Sequence, residues 1–284
     1  LLSFGTEHVL DPFRLFARSL AIRISQPLHF GLIDQLLDPT QTKIEVPKPV
    51  DDGHWVVCGY GRLGRSIRDA LEARGLSVHI VDPAVTDAPP AWVKGLGTED
   101  QPLRAANIDQ AAGLIAGTNH DPDNLSIWMT ARHSRPDLMG VGRLNRPMNK
   151  EVFEKAKWDV LMNPADVIAE ELVARLRTPM LKSFIHHLEG QSEAWIQNLV
   201  REARSRCGDE DLENWDLALT ESRVPKIYSA LGQITLKQLM GPGVLCLKLR
   251  RNGDKLYRPD ENTVLQGDDR LLFWGRSEAR ANML

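Results

Sequence analysis

The segment from His54 to Pro83 places a glycine-rich loop between two apolar runs, and it constrains the fold more than any other part of the chain. The first run, Trp55–Cys58, predicts a strand that is buried on both faces. The loop holds three glycines in G-x-G-x-x-G spacing: Gly59, Gly61 and Gly64. A helical stripe follows, made of Leu63, Ile67 and Leu71. A second apolar run, Val78–Val81, stops at Asp82, and this order of strand, loop, helix, strand and acid predicts a Rossmann-type unit.

The three glycines have separate roles in such a loop. The first permits a tight turn, the second lets the backbone approach a phosphate, and the third lets helix and strand pack closely. The N-terminus of the helix offers free N–H groups and the positive end of the helix dipole to an anion. Asp82 can accept hydrogen bonds from a ribose diol. The segment therefore predicts nucleotide binding, and the alternative is a Rossmann-type unit whose pocket binds nothing.

Length and composition exclude several other classes of protein. A chain of 284 residues is long enough for two domains. Its formal net charge of -3 argues against a nucleic-acid-binding surface, which needs a concentrated basic face. No apolar run reaches the length of a membrane span, and no signal peptide is visible. The three cysteines, Cys58, Cys207 and Cys246, form no C-x-x-C pair and predict reduced thiols in the cytosol.

A helix–proline–helix pattern occurs twice, in residues 1–37 and again from Leu161 onward. From the prolines onward the copies align without a gap in six identical pairs: Pro12 and Pro164, Ala17 and Ala169, Leu20 and Leu172, Arg23 and Arg175, Pro27 and Pro179, Ile33 and Ile185. A repeat at this distance indicates a duplicated domain. Residues 1–37 are therefore predicted to be the tail of an earlier copy, and the chain, which starts at Leu1, to be a piece of a longer one. Residues 38–52 are typical of a linker.

Residues 54–163 alternate apolar runs with helical patterns, which predicts a parallel α/β sheet. The fourth strand is predicted to end before Gly117-Thr118-Asn119, on the carboxyl edge where ligands of open α/β sheets bind. Thr98 is predicted to cap a helix that starts at Glu99. Farther along, the acidic run Asp209–Glu213 predicts a solvated loop. Short strands with the hairpin signal Asn252-Gly253 then predict a small α+β domain.

The predicted binding site has no evident reactive group beside it. His120 lies at the ligand edge and is a candidate general acid, although a loop histidine is more often simply exposed to solvent. No Ser/His/Asp or Cys/His arrangement, no Tyr-x-x-x-Lys pair and no metal-ligand set follows from the spacing. We therefore assign no catalytic and no metal-binding residue. An NAD-dependent oxidoreductase is the alternative to a binding protein.

These motifs together resemble the RCK family, the regulators of potassium conductance, which are cytosolic nucleotide-binding domains of prokaryotic potassium channels and Trk/Ktr-type uptake systems. Six segments carry the resemblance: Trp55–Gly64, Val81–Pro83, Leu114–Asn124, Gly142–Pro147, Val160–Pro164 and Gly267–Gly275. The resemblance covers about residues 54–284 and, through the repeat, residues 1–37. It fits the second RCK of a tandem pair.

The resemblance implies four segments: the tail of a preceding RCK copy plus linker at 1–50, a Rossmann-type nucleotide-binding subdomain at 51–163, a crossover helix–turn–helix at 164–190, and a C-terminal α+β subdomain at 191–284. It implies a homo-oligomer that dimerises through the crossover helices and forms a gating ring. The implied partner is the pore of a potassium channel or a transporter subunit, reached from the cytoplasmic face of the inner membrane. The resemblance implies no nucleic-acid partner.

The resemblance also carries over a set of ligand contacts in which the glycine loop holds phosphates, Asp82 the ribose and the sheet edge the far half of the ligand. The set is Gly59, Tyr60, Gly61, Arg62, Leu63, Gly64, Asp82, Pro83, Thr118, Asn119 and Arg143. The implied ligand is NAD(H) or an adenine nucleotide (ATP, ADP or AMP), because Asp82 disfavours a 2′-phosphate. One departure is Gly95–Thr98, where many members carry an acid in a Gly-Asp-Ala-like motif. A scaffold copy that binds no ligand is a further alternative.

Overall fold

A computed structural model describes residues 10–38, 40–86, 89–219 and 234–283. Residues 1–9 of the predicted preceding copy and residues 220–233 of the predicted C-terminal subdomain lie outside the described residues. The chain divides into two compact units, Leu1–Ser25 with Lys48–Ala169 and Gln26–Pro47 with Glu170–Leu284. This division falls within both helix–proline–helix segments, whereas the predicted boundaries kept each segment whole. The boundaries of the four segments remain a prediction that rests on the resemblance to the RCK family.

The first unit contains a six-stranded parallel sheet. Its strands are β1 (His54–Cys58), β2 (Val78–Val81), β3 (Trp92–Val93), β4 (Ala111–Ala116), β5 (Met139–Arg143) and β6 (Val160–Met162). They are ordered β3-β2-β1-β4-β5-β6 and every neighbouring pair is parallel. This is the doubly wound order, in which the direction in which successive strands are added to the sheet reverses between β1 and β4. The predicted fold of this unit is confirmed, and the reversal places a crevice at the carboxyl ends of β1 and β4.

Helices cover both faces of this sheet. They are α1 (Pro12–Ser25), α3 (Arg62–Glu72), α4 (Asp100–Ala105), α5 (Asp121–Ser134), α6 (Lys150–Lys155) and the start of α7 (Pro164–Arg177). Trp55 and Val57 pack into one core with α1 and α3. Val56 and Cys58 alternate with them and pack into a second core with α5. All four side chains are at most 1% exposed, which explains why the strand is apolar without interruption.

Helix α1 packs against α3 in this unit. Its apolar stripe contributes five buried residues to the same core as α3: Phe13, Phe16, Ala17, Leu20 and Ala21. Burial of a large apolar side chain contributes about 1.5–3 kcal/mol. The first helix of the N-terminal repeat is therefore fully integrated with the Rossmann-type unit.

The start of α4 differs from the sequence prediction. Thr98 does not cap it, because the helix begins at Asp100 and Glu99 occupies the cap position without a side-chain cap hydrogen bond. The Thr98 carbonyl accepts a hydrogen bond from the Thr130 hydroxyl at 3.2 Å, which joins this segment to α5.

The second unit contains a four-stranded antiparallel sheet with helices. The strands are β7 (Leu212–Ala218), β8 (Val244–Arg251), β9 (Asp254–Tyr257) and β10 (Arg270–Arg276), in the order β7-β10-β8-β9. The helices are α2 (Pro27–Leu37), the remainder of α7, α8 (Leu181–Leu188), α9 (Glu193–Cys207), α10 (Leu236–Leu239) and α11 (Ser277–Met283). This confirms the predicted small α+β unit. Of the helices described in either unit, none combines the length and apolar composition that crossing a bilayer requires.

Two local predictions in this unit had different outcomes. The hairpin at Asn252-Gly253 is confirmed, because both residues have positive φ, 49° and 94°, between β8 and β9. The loop predicted at Asp209–Glu213 is wrong at its end. Strand β7 already begins at Leu212, and Glu213 pairs with Gly275 of β10. A long-range pairing partner overrides the low strand preference of an acidic stretch.

Candidate nucleotide-binding site

The glycine loop lies between β1 and α3, and its geometry gives each glycine a different constraint. Gly59 has a φ of +96° and packs against the backbone of Thr118, 3.2 Å from a Cβ placed on the glycine. A Cβ on Gly64 would lie 3.1 Å from the Gly59 carbonyl carbon and closer still to its oxygen. Around Gly61 a Cβ would meet nothing within 4 Å. Close backbone contacts within the protein therefore require glycine at the first and third positions. The second glycine, Gly61, leaves open space at the N-terminus of α3.

Asp82 ties the end of β2 to this loop. Its Oδ2 accepts a hydrogen bond from the backbone N–H of Tyr60 at 2.6 Å, and its Oδ1 accepts one from the N–H of Ala84 at 2.8 Å. An ionised carboxylate has about four acceptor positions. Asp82 therefore fixes the loop and still has acceptor capacity for a ribose diol. Pro83 is exposed in the turn after β2.

The side chain of Tyr60 braces the loop against β3. Its ring meets Trp92 edge to face at 4.6 Å, and its hydroxyl accepts a hydrogen bond from Arg68 of α3. Leu63, in contrast, is 1% exposed and part of the core. Leu63 can thus offer a ligand only its backbone. Arg62 is exposed at the first position of α3.

Arg62 and Arg143 converge although 81 positions separate them in the sequence. The guanidinium carbon of Arg62 lies 4.8 Å from the ring centroid of Phe13, and that of Arg143 lies 4.9 Å from the same centroid. The pKa of Arg143 is lowered, first by burial and then by the like charge of Arg62, against an opposing effect of Asp121. The Nε of Arg143 is buried without a hydrogen-bond partner among the described residues. The carboxyl edge of the sheet therefore holds a concentrated positive charge.

A hydrogen-bonded network joins the ends of β4 and β5. The Asn124 side chain accepts from the N–H of Thr118 at 3.0 Å and donates to the carbonyls of Thr118 at 3.1 Å and of Arg143 at 2.8 Å. Asn145 donates to the Thr118 carbonyl at 3.2 Å. Asn119 is exposed beside this network.

Asp121 is the centre of the same network. It is 3% exposed and accepts four hydrogen bonds, from the backbone of Asn145 and Arg146 and from the side chains of Asn145 and Asn149. Burial acts to raise its pKa, but these bonds together lower it, so the carboxylate is held ionised. Sequence reasoning missed Asp121, Asn124 and Asn145 as the residues that hold the edge. The signal available was their place in the motifs Leu114–Asn124 and Gly142–Pro147.

His120, the candidate general acid, lies just before α5. Its Nδ1 is 3.0 Å from the Asp123 carboxylate, and its side chain is 63% exposed. A general acid needs a fixed position beside the reacting atom. The exposure of His120 and its pairing with the exposed Asp123 do not supply such a position.

The segment Gly95–Thr98, where the sequence departs from the RCK pattern, is shaped by packing. A Cβ on Gly97 would lie 2.7 Å from the Cys58 sulfur, and a Cβ on Gly95 would lie 2.6 Å from Pro102 Cγ. Both glycines therefore permit close approach of this segment to its neighbours. Leu96, which stands where the family pattern has its acid, is 48% exposed.

Comparisons with known proteins agree with this geometry. The TrkA-N domain family model matches residues 55–164. Potassium channel protein 1 of Methanocaldococcus jannaschii is 27% identical over 236 residues, which cover 80% of this chain and 64% of that protein. A Trk system potassium uptake protein TrkA homolog of Pyrococcus horikoshii is 27% identical over 199 residues, 64% of this chain and 83% of that protein.

Among solved structures, the RCK domain of GsuK matches 99% of this chain and 70% of its own length, with a TM-score of 0.50 and 17% sequence identity. At that identity the likeness concerns the fold. The present chain thus spans about two thirds of the channel protein and of this structure. Residues 55–164 are thus similar to the TrkA-N domain family, and the fold of the chain is similar to that of the GsuK RCK domain.

Proposed function

We propose that this chain is a nucleotide-binding regulatory domain that gates a potassium channel or a potassium transporter from the cytoplasmic face of the inner membrane. The observation that carries the proposal is the site at the end of β1 and β4. It combines the open space at Gly61, the acceptor Asp82 and the paired cations Arg62 and Arg143. The naming of similar proteins as potassium channel and Trk components supports the transport role.

The residues present fit a nucleotide. The backbone N–H groups at the start of α3 and the two guanidinium groups are suited to phosphates. The remaining acceptor capacity of Asp82 suits a ribose diol, and its negative charge opposes a 2′-phosphate. NAD(H) or an adenine nucleotide is therefore the proposed ligand. Tyr60, Leu63, Pro83, Thr118 and Asn119 complete the proposed contact set, with Leu63 acting through its backbone alone.

A regulatory role is favoured over an oxidoreductase by the chemistry at the edge of the sheet. The groups that project there are guanidinium and amide groups, which can bind and orient a ligand. The carboxylate of Asp121 already accepts four hydrogen bonds. His120 is exposed and paired with Asp123. The scaffold alternative gives no reason for two arginines, neither with an ion-pair partner among the described residues, to converge at this edge. We therefore assign no enzymatic activity to the chain.

The proposed partner of α7 is a second RCK copy. Leu172, Val173 and Leu176 are 45%, 42% and 81% exposed on one side of this helix. By the repeat they correspond to Leu20, Ala21 and Ile24 of α1, which pack into the core beside α3. An exposed apolar stripe of this kind marks an interaction surface. We infer that a second copy covers this stripe of α7, which gives the dimer and the gating ring. The position against α3 is open to α7 only in a copy that has no α1 of its own, because α1 already covers α3 here.

Regulation in such an assembly is a matter of differential affinity. A nucleotide changes the ratio of open to closed pore only as far as it binds one arrangement of the ring more tightly than the other. A tenfold preference corresponds to about 1.4 kcal/mol at each site, and several sites act together.

The binding half of the proposal is tested by calorimetric titration of the purified chain with NAD, NADH, NADP, ATP, ADP and AMP. We expect saturable binding of at least one ligand without a 2′-phosphate and weaker binding of NADP. Absence of binding by all six would leave only the scaffold alternative. Oxidation of NADH by a small carbonyl compound, or reduction of NAD by a small hydroxy compound, would favour the oxidoreductase.

The assembly half is tested by light scattering on Leu176→Asp beside Met148→Asp. Met148 is 82% exposed and lies outside α7, so it is a matched control for replacing an exposed apolar residue by an acid. We expect the wild type and Met148→Asp to be at least dimeric and Leu176→Asp to dissociate. A wild-type chain that is monomeric at all concentrations would refute the proposed role of α7.

A further inference from the structure

Phe13 stands in the first turn of α1, and its ring contacts both arginines of the proposed site. The two guanidinium carbons lie 4.8 Å and 4.9 Å from the ring centroid, and Phe13 is 5% exposed. A guanidinium within about 6 Å of an aromatic centroid is attracted by the negative face of the ring. One side chain of the N-terminal helix thus contacts two cations that come from α3 and from the end of β5.

Neither of these two cations has an ion-pair partner in the described part of the chain. Among the ion pairs between described residues, none includes Arg62 or Arg143. Asp121 acts on Arg143 through its charge, but its oxygens already accept four hydrogen bonds. The Arg143 Nε is buried and without a partner in the part of the chain that the structure describes. Two like charges held together with unused donors are poised to receive an anion with two negative groups.

The internal repeat separates this contact from ordinary packing. In α7 the positions that correspond to Phe16, Ala17 and Leu20 are Ile168, Ala169 and Leu172, all apolar. The position that corresponds to Phe13 is Ala165. The packing stripe is thus preserved in both copies, whereas the aromatic ring is specific to the helix that meets the arginines.

We propose that Phe13 is a positioning residue that holds Arg62 and Arg143 together as a clamp for two adjacent phosphate groups, so that binding of a diphosphate depends on α1. The inference rests on the proposed function and adds to it the ligand class, a nucleotide with a pyrophosphate, and the element that senses it. An anion between the guanidinium groups relieves their mutual repulsion, so that both can stay in contact with the ring at the same time. By reciprocity, α1 is bound more firmly to the unit when the diphosphate is present.

The test compares Phe13→Leu with the matched control Phe16→Leu and the ring-conserving Phe13→Tyr. Phe16 lies about one turn along α1 and packs into the same core, and none of the cation–π contacts between described residues involves its ring. Calorimetric titrations use ADP, AMP and inorganic pyrophosphate as probes. We expect Phe13→Leu to weaken ADP binding about tenfold and AMP binding less than about threefold, since each cation–π contact is weak singly and two are lost. Phe16→Leu and Phe13→Tyr are expected to bind ADP like the wild type.

A second readout is hydrogen exchange of residues 12–25 with and without pyrophosphate. We expect pyrophosphate to slow exchange in α1 of the wild type and not in Phe13→Leu. If Phe13→Leu and Phe16→Leu bind ADP equally and show equal protection, the clamp is refuted while the nucleotide site stands. If no nucleotide binds the wild type, the proposed function fails. In that case slower exchange of α1 with pyrophosphate alone supports the clamp, and unchanged exchange refutes it.

Discussion

The second and third glycines of the loop differ sharply in their surroundings, and substitution of each by alanine separates folding from binding. A Cβ on Gly64 would lie 3.1 Å from the Gly59 carbonyl carbon, with the oxygen nearer still. Two carbons have their optimum separation at about 3.5–4.0 Å. The loop would therefore have to move by at least about half an ångström. A Cβ on Gly61 meets nothing within 4 Å, and its φ of -77° suits any residue.

The expected magnitudes follow from these contacts. Overpacking costs about 1–3 kcal/mol, and Gly64→Ala belongs at the upper end because the neighbouring atoms are backbone in a turn with positive φ at Gly59. At about 2–4 °C per kcal/mol the melting temperature falls by about 6–12 °C. Gly61 is the N-cap residue of α3, where alanine is less favourable than glycine by up to about 1 kcal/mol. Gly61→Ala therefore lowers the melting temperature by about 2–4 °C at most.

Nucleotide affinity is expected to respond differently at these two positions. If a phosphate approaches the backbone at Gly61, the added methyl group occupies its path and the affinity falls at least about tenfold, measured by calorimetry at a temperature where the variant is folded. Circular dichroism melts supply the stability. Two results would refute the reasoning. One is a loss of stability in Gly61→Ala equal to that in Gly64→Ala, and the other is wild-type nucleotide affinity in Gly61→Ala.

Two further substitutions test single groups. Asp82→Asn keeps an acceptor for Tyr60 but loses the charge, so nucleotide affinity should fall about tenfold or more by calorimetry, whereas Asp137→Asn, an exposed control, should not change it. Lys248 is buried, and burial together with the charge of Lys255, against the charge of Asp216, lowers its pKa from 10.5 to about 8. Between these two values Lys248 is protonated in the unfolded chain and neutral in the folded chain. The free energy of unfolding therefore rises with pH across that window. Urea denaturation at about pH 7 and about pH 10 should show this rise in the free energy of unfolding for the wild type and not for Lys248→Met. An equal rise in Lys248→Met would contradict the assignment.

The parts of the fold that sequence could predict are those fixed by local pattern. Strand β1 is buried on both faces and therefore apolar throughout, and the stripe of α3 follows one face of a helix. The φ of +96° at Gly59 and the tight approach at Gly64 are constraints that glycine alone satisfies, so the motif specifies its own geometry. The same holds for the hairpin at Asn252-Gly253.

The parts that sequence did not predict depend on partners distant in the chain. Strand β7 starts among acidic residues because β10 supplies the hydrogen bonds for Glu213. Asp121 and Asn124 look like ordinary first-turn residues of α5, and their role follows only from the approach of Asn145 and Arg143. Local propensity cannot predict such contacts, because their energies come from burial and from hydrogen bonds between residues that are distant in the sequence.

The contrast between Phe13 and Ala165 leads to a prediction for the proposed pair of copies. If α7 packs on α3 of a partner copy as α1 packs on α3 here, its first turn reaches the glycine loop of that copy with a methyl group in place of a ring. An arginine clamp on the partner would then lack its aromatic support. The two sites of the pair should therefore differ in diphosphate affinity, the tighter one lying under α1. Calorimetry on a protein that holds both copies should resolve two classes of site, and Phe13→Leu should merge them. A single class of identical sites in the wild type would show that the ring does not set the affinity.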